Sequence, residues 1–272
     1  MFAICAYKNS PYLEACIRSV LGQNYPTKAI ICTSTPSRFI EGLAKKYNLP
    51  YYVREGKSNI RDDWNFAYRM ADARLVTIAH QDDCYRAGYV RAMVNAFRRF
   101  PDMTVFASDA ITVKDGHPQP LERLRLVKKF LRLPLRSPYA NHLSRIKKSA
   151  LIFGNSICCP ACTYHKDVLG EVLFSSEFQF ALDWDNLLAL AKKPGRFICA
   201  EEALIFHRIH PDAATVSCMD NCKRAQEEEK IFGKIWNAGA AKWLMCAYRR
   251  AYGAYSAEGE GNVERKNGQK ER

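Results

Sequence analysis

The sequence predicts an α/β fold in which a mainly parallel, Rossmann-like central sheet is flanked by helices. In the first hundred residues, short apolar runs rich in β-branched residues alternate with longer segments whose apolar residues recur at helical spacing. This alternation is typical of parallel sheets, because each helix carries the chain back across the sheet. Hydrophobic residues make up 48% of the 272 positions, which is sufficient for one large core.

The first half of the chain supplies strands and helices in strict alternation. A helix over 11–23 should follow Ser10, a good N-cap, with Pro11 in its first turn. Strands are predicted at 2–6, 28–33, 51–53, 75–79 and 103–107, and helices at 11–23, 37–47, 58–72 and 86–100. Asp115-Gly116 predicts a turn after the last of these strands.

The pattern is less regular in the second half. Helices are predicted at 121–133, 141–151 and 183–193, strand-like segments at 157–165, 197–200 and 203–206, and a mostly helical segment at 219–252. We therefore divide the chain into a domain at 1–217, a C-terminal helical extension at 218–255 and a disordered polar tail at 256–272.

The positive charge is concentrated in one segment. The net charge is +13, and Leu121 to Ala150 holds nine Lys and Arg against one Glu. Such a basic face attracts an anionic membrane or a diphosphate, whereas solvated edges of an ordinary packed helix are the alternative. No zinc-finger, RRM or helix-turn-helix pattern is present, so we expect no nucleic-acid partner.

The sequence has eleven cysteines but neither a signal peptide nor an apolar stretch that would span a bilayer. We expect a cytoplasmic protein with reduced thiols, which could rest peripherally on the inner face of the membrane. Cys159-Pro160-Ala161-Cys162 has redox-like spacing. A zinc site or redox pair there is a minor alternative, because no second Cys/His pair has zinc-finger spacing.

An acidic pair follows the strand predicted at 75–79, in the run His80-Gln81-Asp82-Asp83. Open α/β sheets bind ligands at the carboxyl ends of their strands. Paired carboxylates are suitable ligands for Mn²⁺ or Mg²⁺, which also bind phosphate, although a charged loop is the simpler alternative. No Gly-rich dinucleotide fingerprint or Gly-x-x-x-x-Gly-Lys loop accompanies the pair.

Four segments within residues 2–217 together resemble the family-two glycosyltransferases of the GT-A fold. They are Ala6-Tyr7-Lys8 with 12–23, Asp63 to Tyr68 with 80–83, Phe153 to Ile157 with 181–185, and His207 to His210 with Ala214-Thr215. The resemblance implies an inverting enzyme that moves a sugar from a nucleoside-diphosphate sugar, with a UDP-sugar as the first expectation. The acceptor would be a glycan or a lipid-linked precursor in cell-surface polysaccharide biosynthesis. Residues 1–110 would bind the donor and 111–217 the acceptor.

The resemblance also assigns roles to individual residues. The expected nucleotide-sugar ligands are Ala6, Tyr7, Ser34, Asp63, Asn65, His80, Gln81, Asp82 and Arg208. The expected ligands of Mn²⁺ or Mg²⁺ are Asp82, Asp83 and His210, and Asp183 would be the general base, with Asp185 as the fallback. The structural alternatives are helix capping by Asp83 and Asp183, a surface Arg208 and a core His210. Trp64 is expected in the core.

Three departures from the family pattern leave parts of the site open. Residues 32–37 contain no carboxylate where the family usually reads the nucleobase, His80 replaces the first acid of the metal motif, and Leu182 replaces a frequent Glu. The nucleobase therefore stays undetermined. A non-catalytic protein that keeps the fold and binds a nucleotide or polyanion is the alternative function. A nucleotidyltransferase is less favoured, because no Gly-rich basic loop is present.

Overall fold

The computed structural model describes residues 1–210 and 223–248, where nine strands form one mixed sheet. The strands are β1 (Phe2–Ala6), β2 (Ala29–Thr33), β3 (Tyr51–Val53), β4 (Leu75–His80), β5 (Cys84–Tyr85), β6 (Met103–Lys114), β7 (His117–Gln119), β8 (Cys162–His165) and β9 (Arg196–Ile209). The helices are α1 (Leu13–Leu21), α2 (Arg38–Lys46), α3 (Ile60–Met70), α4 (Tyr89–Arg99), α5 (Arg123–Leu131), α6 (Ser144–Ser149), α7 (Lys166–Leu169), α8 (Leu182–Leu190) and α9 (Lys223–Ile235), followed by a helical segment at 238–248.

The strand order is β3-β2-β1-β4-β8-β6-β9-β5, with β7 paired to β6. The first four strands of this order are parallel, which confirms the predicted doubly wound half. Strand β8 is antiparallel to both β4 and β6, whereas β6 and β9 are parallel. Because Cys5 on β1 pairs with His80 on β4, the loops that follow these strands emerge side by side.

Several predicted boundaries change in the structure. Helix α1 begins at Leu13, two residues later than predicted, with Tyr12 at the N-cap position, while Ser10 Oγ accepts the Tyr12 N–H in the turn just before the helix. The segments predicted at 197–200 and 203–206 form one strand, β9. Strand β6 runs through residue 110, so the sheet has no break at the boundary expected there. Ala214-Thr215 and the tail at 256–272 lie outside the described residues.

Helices cover both faces of the sheet. Helices α1, α2 and α4 pack with Phe2, Ile4 and Ile31 in one buried cluster. Helices α3 and α8 pack on the opposite face in a second cluster, and it also contains Ile231 and Phe232 of α9. Two residues of the predicted C-terminal helical extension, Ile231 and Phe232, thus contribute to the main core.

The nine cysteines within the described ranges are all free, and most are partly or fully buried. Burial raises the pKa of Cys32 to about 12, so this thiol stays neutral and packs as a small apolar group. Cys159 and Cys162 are buried as well. Among the helices of residues 1–210 and 223–248, none is long and apolar enough to cross a membrane.

Some of the basic side chains in and directly after helix α5 point toward the sheet. Arg125 and Arg132 form ion pairs with the buried Asp109 on β6, with N···O distances of 2.7 and 2.5 Å. The opposite side exposes Leu126, Val127 and Phe130, whose side chains are 49%, 55% and 70% exposed. The predicted basic helix is present, but two of its arginines attach it to the sheet and its apolar residues face outward.

We predict that Asp109→Asn lowers the free energy of unfolding by about 3 kcal/mol, because the buried guanidinium of Arg132 and the partly buried one of Arg125 lose their counter-charge. Urea denaturation followed by circular dichroism measures this change. Asp115→Asn, in an exposed turn, is the matched control and should change stability by less than about 0.5 kcal/mol. Equal midpoints for the two variants would show that the ion pairs do not hold α5.

Candidate active site

The loops after β1 and β4 are joined by the side chain of Gln81. The Tyr7 N–H donates to Gln81 Oε1 at 2.8 Å, and Gln81 Nε2 donates to the Tyr7 carbonyl at 3.0 Å. The Gln81 amide thus fixes the two loops relative to each other. Tyr7 stands 47% exposed at the rim, whereas the side chain of Ala6 is buried.

Asp82 and His210 meet beside this rim. Asp82 Oδ1 accepts a hydrogen bond from Ser10 Oγ at 2.8 Å, and its Oδ2 lies 3.4 Å from His210 Nε2. In the described part of the chain His210 Nε2 is buried and makes no hydrogen bond. Sequence analysis gave Ser10 no role in the site, because it lies 72 positions from Asp82 and no local pattern links the two residues.

Asp83 faces away from that pair. Its side chain is 1% exposed, and Oδ1 accepts hydrogen bonds from the Arg208 N–H at 2.9 Å and from His207 Nδ1 at 3.1 Å. Asp83 Oδ1 is thus used on β9, whereas Oδ2 is buried and has no hydrogen-bond partner in the described part of the chain, so the role of Asp83 as a metal ligand stays a prediction. Asp83 is not a helix cap, since α4 begins only at Tyr89.

The Asp83–His207 contact is an ion pair. Burial acts to raise the pKa of Asp83, but the charge and hydrogen bond of His207 outweigh it and the pKa lies below its usual range. Burial likewise acts to lower the pKa of His207, but Asp83 raises it overall. Opposite charges thus attach the start of the β4 loop to the end of β9.

Arg208 is held by stacking as well as by its backbone. Its guanidinium lies over the Tyr12 ring, 4.4 Å from the ring centroid, and its Nε donates to the Asp82 carbonyl at 3.2 Å. The His210 ring packs against the same tyrosine, with centroids 4.8 Å apart. Tyr12 is thus a shared platform for two predicted site residues, a role that its position in the resembling segment 12–23 did not reveal.

His80 lines the inner side of the site. Its ring stacks on Trp64 with centroids 4.7 Å apart, and Trp64 also contacts Phe174 at 5.1 Å. Burial lowers the pKa of His80, so its ring stays neutral near pH 7. Trp64 packs against the core, which confirms its predicted place.

Ser34 and Asp63 come together at the ends of β2 and α3. Asp63 accepts hydrogen bonds from Ser34 Oγ at 2.9 Å, Ser58 Oγ at 2.7 Å and Arg54 Nε at 2.7 Å. The negative charge of Asp63 is thereby paired with Arg54, and the three hydrogen bonds fix the orientation of the carboxylate. The edge expected to read the nucleobase consequently presents hydroxyl groups held by one shared acid.

Asn65 does not reach this edge. It is 6% exposed, its Nδ2 donates to the Phe174 carbonyl at 2.7 Å, and its Oδ1 accepts from the N–H groups of Leu173 and Phe174 at 3.1 and 2.9 Å. The predicted nucleotide contact of Asn65 is therefore wrong. Its amide holds the loop before α8 against α3.

Asp183 lies in the first turn of α8 and accepts a hydrogen bond from Asn155 Nδ2 at 2.7 Å. Burial raises its pKa, although the positive charges of Arg224 and Lys128 oppose this shift. Asp185, the fallback base, is engaged elsewhere, because it accepts from Ser176 Oγ at 2.7 Å and from Lys234 Nζ at 2.9 Å.

Cys158 is buried between groups of both charges. Burial is the main cause that raises its pKa to about 12; the charges of Asp83 and Asp183 act in the same direction, whereas those of Lys128 and Arg132 oppose it.

The donor set at Asp82 suits a divalent cation that is also bound by its substrate. In residues 1–210 and 223–248, no group of three His, Cys, Asp or Glu side chains converges on a metal position. Asp82 Oδ2 and His210 Nε2 do converge, and the nitrogen is an orphaned buried polar atom. An oxygen and a neutral imidazole nitrogen are suitable Mn²⁺ ligands, and substrate oxygens would complete the shell.

A parallel-stranded half with an acidic motif after β4, continued by an antiparallel β8 and the long β9, defines a GT-A fold, the class of nucleotide-sugar-dependent glycosyltransferases. Residues 2–172 match the family model described as Glycosyl transferase family 2. The chain belongs to this family, and it is a glycosyltransferase. The match ends before Asp183, Arg208 and His210, so it does not extend to these residues.

Solved structures with a similar fold come from several organisms. Staphylococcus aureus TarS 1-349 in complex with UDP-GlcNAc aligns with a TM-score of 0.62 at 14% identity, over 93% of this chain and 72% of that one. The mannosyltransferase PcManGT of Pyrobaculum calidifontis, in complex with GDP-Man and Mn²⁺, aligns with a TM-score of 0.62 at 14% identity, over 94% and 74%.

Glucosyl-3-phosphoglycerate synthase of Mycobacterium tuberculosis aligns with a TM-score of 0.55 at 11% identity, over 86% of this chain and 79% of that one. At these identities the likeness concerns the fold. No curated protein sequence matches the chain significantly.

Proposed function

We propose that this enzyme transfers a sugar, with inversion, from a nucleoside-diphosphate sugar to a hydroxyl group of a glycan or lipid-linked acceptor. The observation that carries the proposal is the convergence of Asp82 and His210, 3.4 Å apart, at the carboxyl ends of β1 and β4. A diphosphate bound there would leave Asp183 to face the acceptor. The cited complexes with UDP-GlcNAc and GDP-Man support a nucleotide sugar, and a UDP-sugar is the first donor to test.

Asp82 and His210 would hold Mn²⁺ or Mg²⁺. When bound, the ion would supply Lewis-acid neutralisation of the charge on the departing diphosphate. PcManGT, a structure of the same fold, is described with Mn²⁺, which supports this choice. Ser10 orients the Asp82 carboxylate through its hydroxyl group, so the ligand oxygen is fixed before the ion arrives.

Arg208 would bind the diphosphate. A guanidinium group makes paired, charge-assisted hydrogen bonds to phosphate oxygens. Stacking on Tyr12 and the bond to the Asp82 carbonyl restrict its rotamers before substrate binds. This preorganisation favours the leaving group without an ordering cost at the moment of reaction.

Asp183 would take the proton of the acceptor hydroxyl as its oxygen attacks the anomeric carbon. The new carbon–oxygen bond forms on the face opposite the breaking bond to the diphosphate, which inverts the configuration. Burial raises the pKa of Asp183, and a carboxylate with a raised pKa is a stronger base. Asn155 holds the carboxylate in place.

We further propose that the outward side of α5 rests on an anionic membrane and brings the enzyme to a lipid-linked acceptor. Leu126, Val127 and Phe130 are exposed there, and Arg123 and Lys129 of the same helix add positive charge. Apolar side chains inserted at the headgroup boundary, with basic residues beside them, are typical of peripheral binding. This agrees with the position expected at the inner face of the membrane.

We predict that nucleoside diphosphate stabilises the enzyme against heat only in the presence of Mn²⁺, and that Asp82→Ala abolishes this shift. Ligand at 100 times its Kd stabilises by about 2.7 kcal/mol, which a thermal-shift panel detects readily. Asp72→Ala, at an exposed position on the preceding loop, should retain the full shift. A metal-dependent shift that survives in Asp82→Ala would overturn the metal assignment.

We predict that Asp183→Asn lowers kcat about 10³-fold while the metal-dependent nucleotide shift persists, because the base is lost and the donor site is intact. In the wild-type enzyme kcat should fall on acidification, since a protonated acid cannot accept a proton. The midpoint of this fall should lie above the ordinary Asp pKa of about 3.9. Initial rates of donor turnover across pH measure both effects.

Asp185→Asn is the comparison for the base assignment, and it should lose less activity than Asp183→Asn. The reverse order would make Asp185 the base. Nucleotide binding without turnover in the wild-type protein, over a panel of donors and acceptors, would favour the non-catalytic binder.

We predict that Val127→Ser/Phe130→Ser reduces co-sedimentation with vesicles of phosphatidylglycerol and phosphatidylcholine at least fivefold. Val168→Ser/Val172→Ser, which removes two similarly exposed apolar residues outside α5, is the matched control and should bind as wild type does. Binding should weaken with pure phosphatidylcholine and with added salt. Equal loss in both double variants would contradict a specific role of α5.

A further inference from the structure

Glu227 of α9 binds the backbone just before the helix that carries Asp183. Its Oε1 accepts a hydrogen bond from the Gln179 N–H at 2.9 Å, and its Oε2 accepts from the N–H groups of Phe180 and Ala181 at 2.8 and 2.9 Å. Three consecutive backbone donors thus share one carboxylate from a remote helix. Such charge-assisted bonds are stronger than neutral ones.

A second contact from the same helix lies on the other side of Asp183. Lys234 of α9 donates to Asp185 Oδ1 at 2.9 Å, and its ammonium group lies 4.6 Å from the Phe178 ring centroid. Ser176 Oγ donates to the other oxygen of Asp185 at 2.7 Å. Asp183 therefore lies between two contacts with α9: the hydrogen bond from the Ala181 N–H to Glu227 and the ion pair between Asp185 and Lys234.

Apolar packing between α8 and α9 holds the two helices together beside both contacts. Phe232 is fully buried and meets the Trp184 ring edge-on, with centroids 5.1 Å apart. The residue next to Asp183 is thereby fixed to the same helix. Helix α8 has no side-chain cap of its own at Ala181, so Glu227 orders the backbone at its beginning.

We propose that Glu227 is a positioning residue for the general base: it sets the backbone at 179–181 so that Asp183 faces the acceptor hydroxyl. The inference rests on the proposed function, in which Asp183 takes the proton. A general base works only within hydrogen-bond reach of its proton, and a displacement of about 1 Å costs about 100-fold in rate. Glu227 contacts neither reactant, so its loss lowers kcat and leaves donor binding unchanged.

The test compares Glu227→Gln with Glu229→Gln in the full-length enzyme. Glu229 is exposed on the same helix, so its replacement removes the same charge without the three backbone bonds. Amide hydrogen exchange of residues 176–184 reports the local order, and kcat and the donor KM report its consequence. We expect Glu227→Gln to exchange about tenfold faster in this segment and to lose 10- to 100-fold in kcat, with donor KM within twofold.

Each outcome decides one question. Wild-type exchange or wild-type kcat in Glu227→Gln overturns the positioning role. A parallel loss of kcat, donor binding and thermal stability in Glu227→Gln would show a purely structural residue and would also overturn the positioning role. In that case Glu227→Asp, which keeps the charge, should be equally impaired. Partial recovery of kcat in Glu227→Asp supports the proposal. If the wild-type enzyme itself lacks turnover with every donor, the proposed function fails, while the exchange measurement still decides whether Glu227 orders 179–181.

Discussion

The site depends on one buried carboxylate. Asp83 accepts the backbone N–H of Arg208 and pairs with His207, so residues 125 positions apart are joined directly beside Asp82. This contact adds to the neighbouring β5–β9 pairing, in which Cys84 lies opposite Phe206, and together they bring Arg208 to the end of β4. The Asp83 carboxylate is buried, and His207 and the backbone N–H of Arg208 hold its pKa below the usual range. One acid of the motif therefore helps to build the site, while its Oδ2 is buried without a hydrogen-bond partner in the described part of the chain.

The same device recurs at other places. Asp109 pairs with Arg125 of α5 and with Arg132 directly after it, Asp63 accepts from Arg54 and two hydroxyl groups, and Glu227 accepts from three backbone N–H groups. Each acid joins two or more elements of the fold. Loops in such places cannot rely on ladder hydrogen bonds, so single carboxylates with several donors provide their order. The arrangement makes a preorganised site compatible with long loops, and it directs the apolar side of α5 outward.

Much of the frame was predictable because its signals are local. Strands β1 to β4 and their helices follow periodicity, and their parallel order follows from alternation. Asp82 follows a buried strand, where ligands bind in this class of sheet. Sequence reasoning fell short where partners are remote: Asn65 was expected at the nucleotide but its amide bonds to residues 173 and 174, and Ser10, expected only before a helix, also donates to Asp82. Polar side chains with several equivalent uses cannot be assigned until their neighbours are known.

The sequence by itself determined the alternation of strands and helices, the acidic pair after β4 and the resemblance to family-two glycosyltransferases, because these features lie within short segments. Tertiary structure alone decided which acid of the pair faces the cleft. Asp82 lies beside His210 and Asp83 beside His207, because the turn at 81–83 packs against the end of β9. It also decided that α9 reaches the start of α8. Contacts of this kind depend on the packing of remote elements, and no local pattern of residue types encodes them.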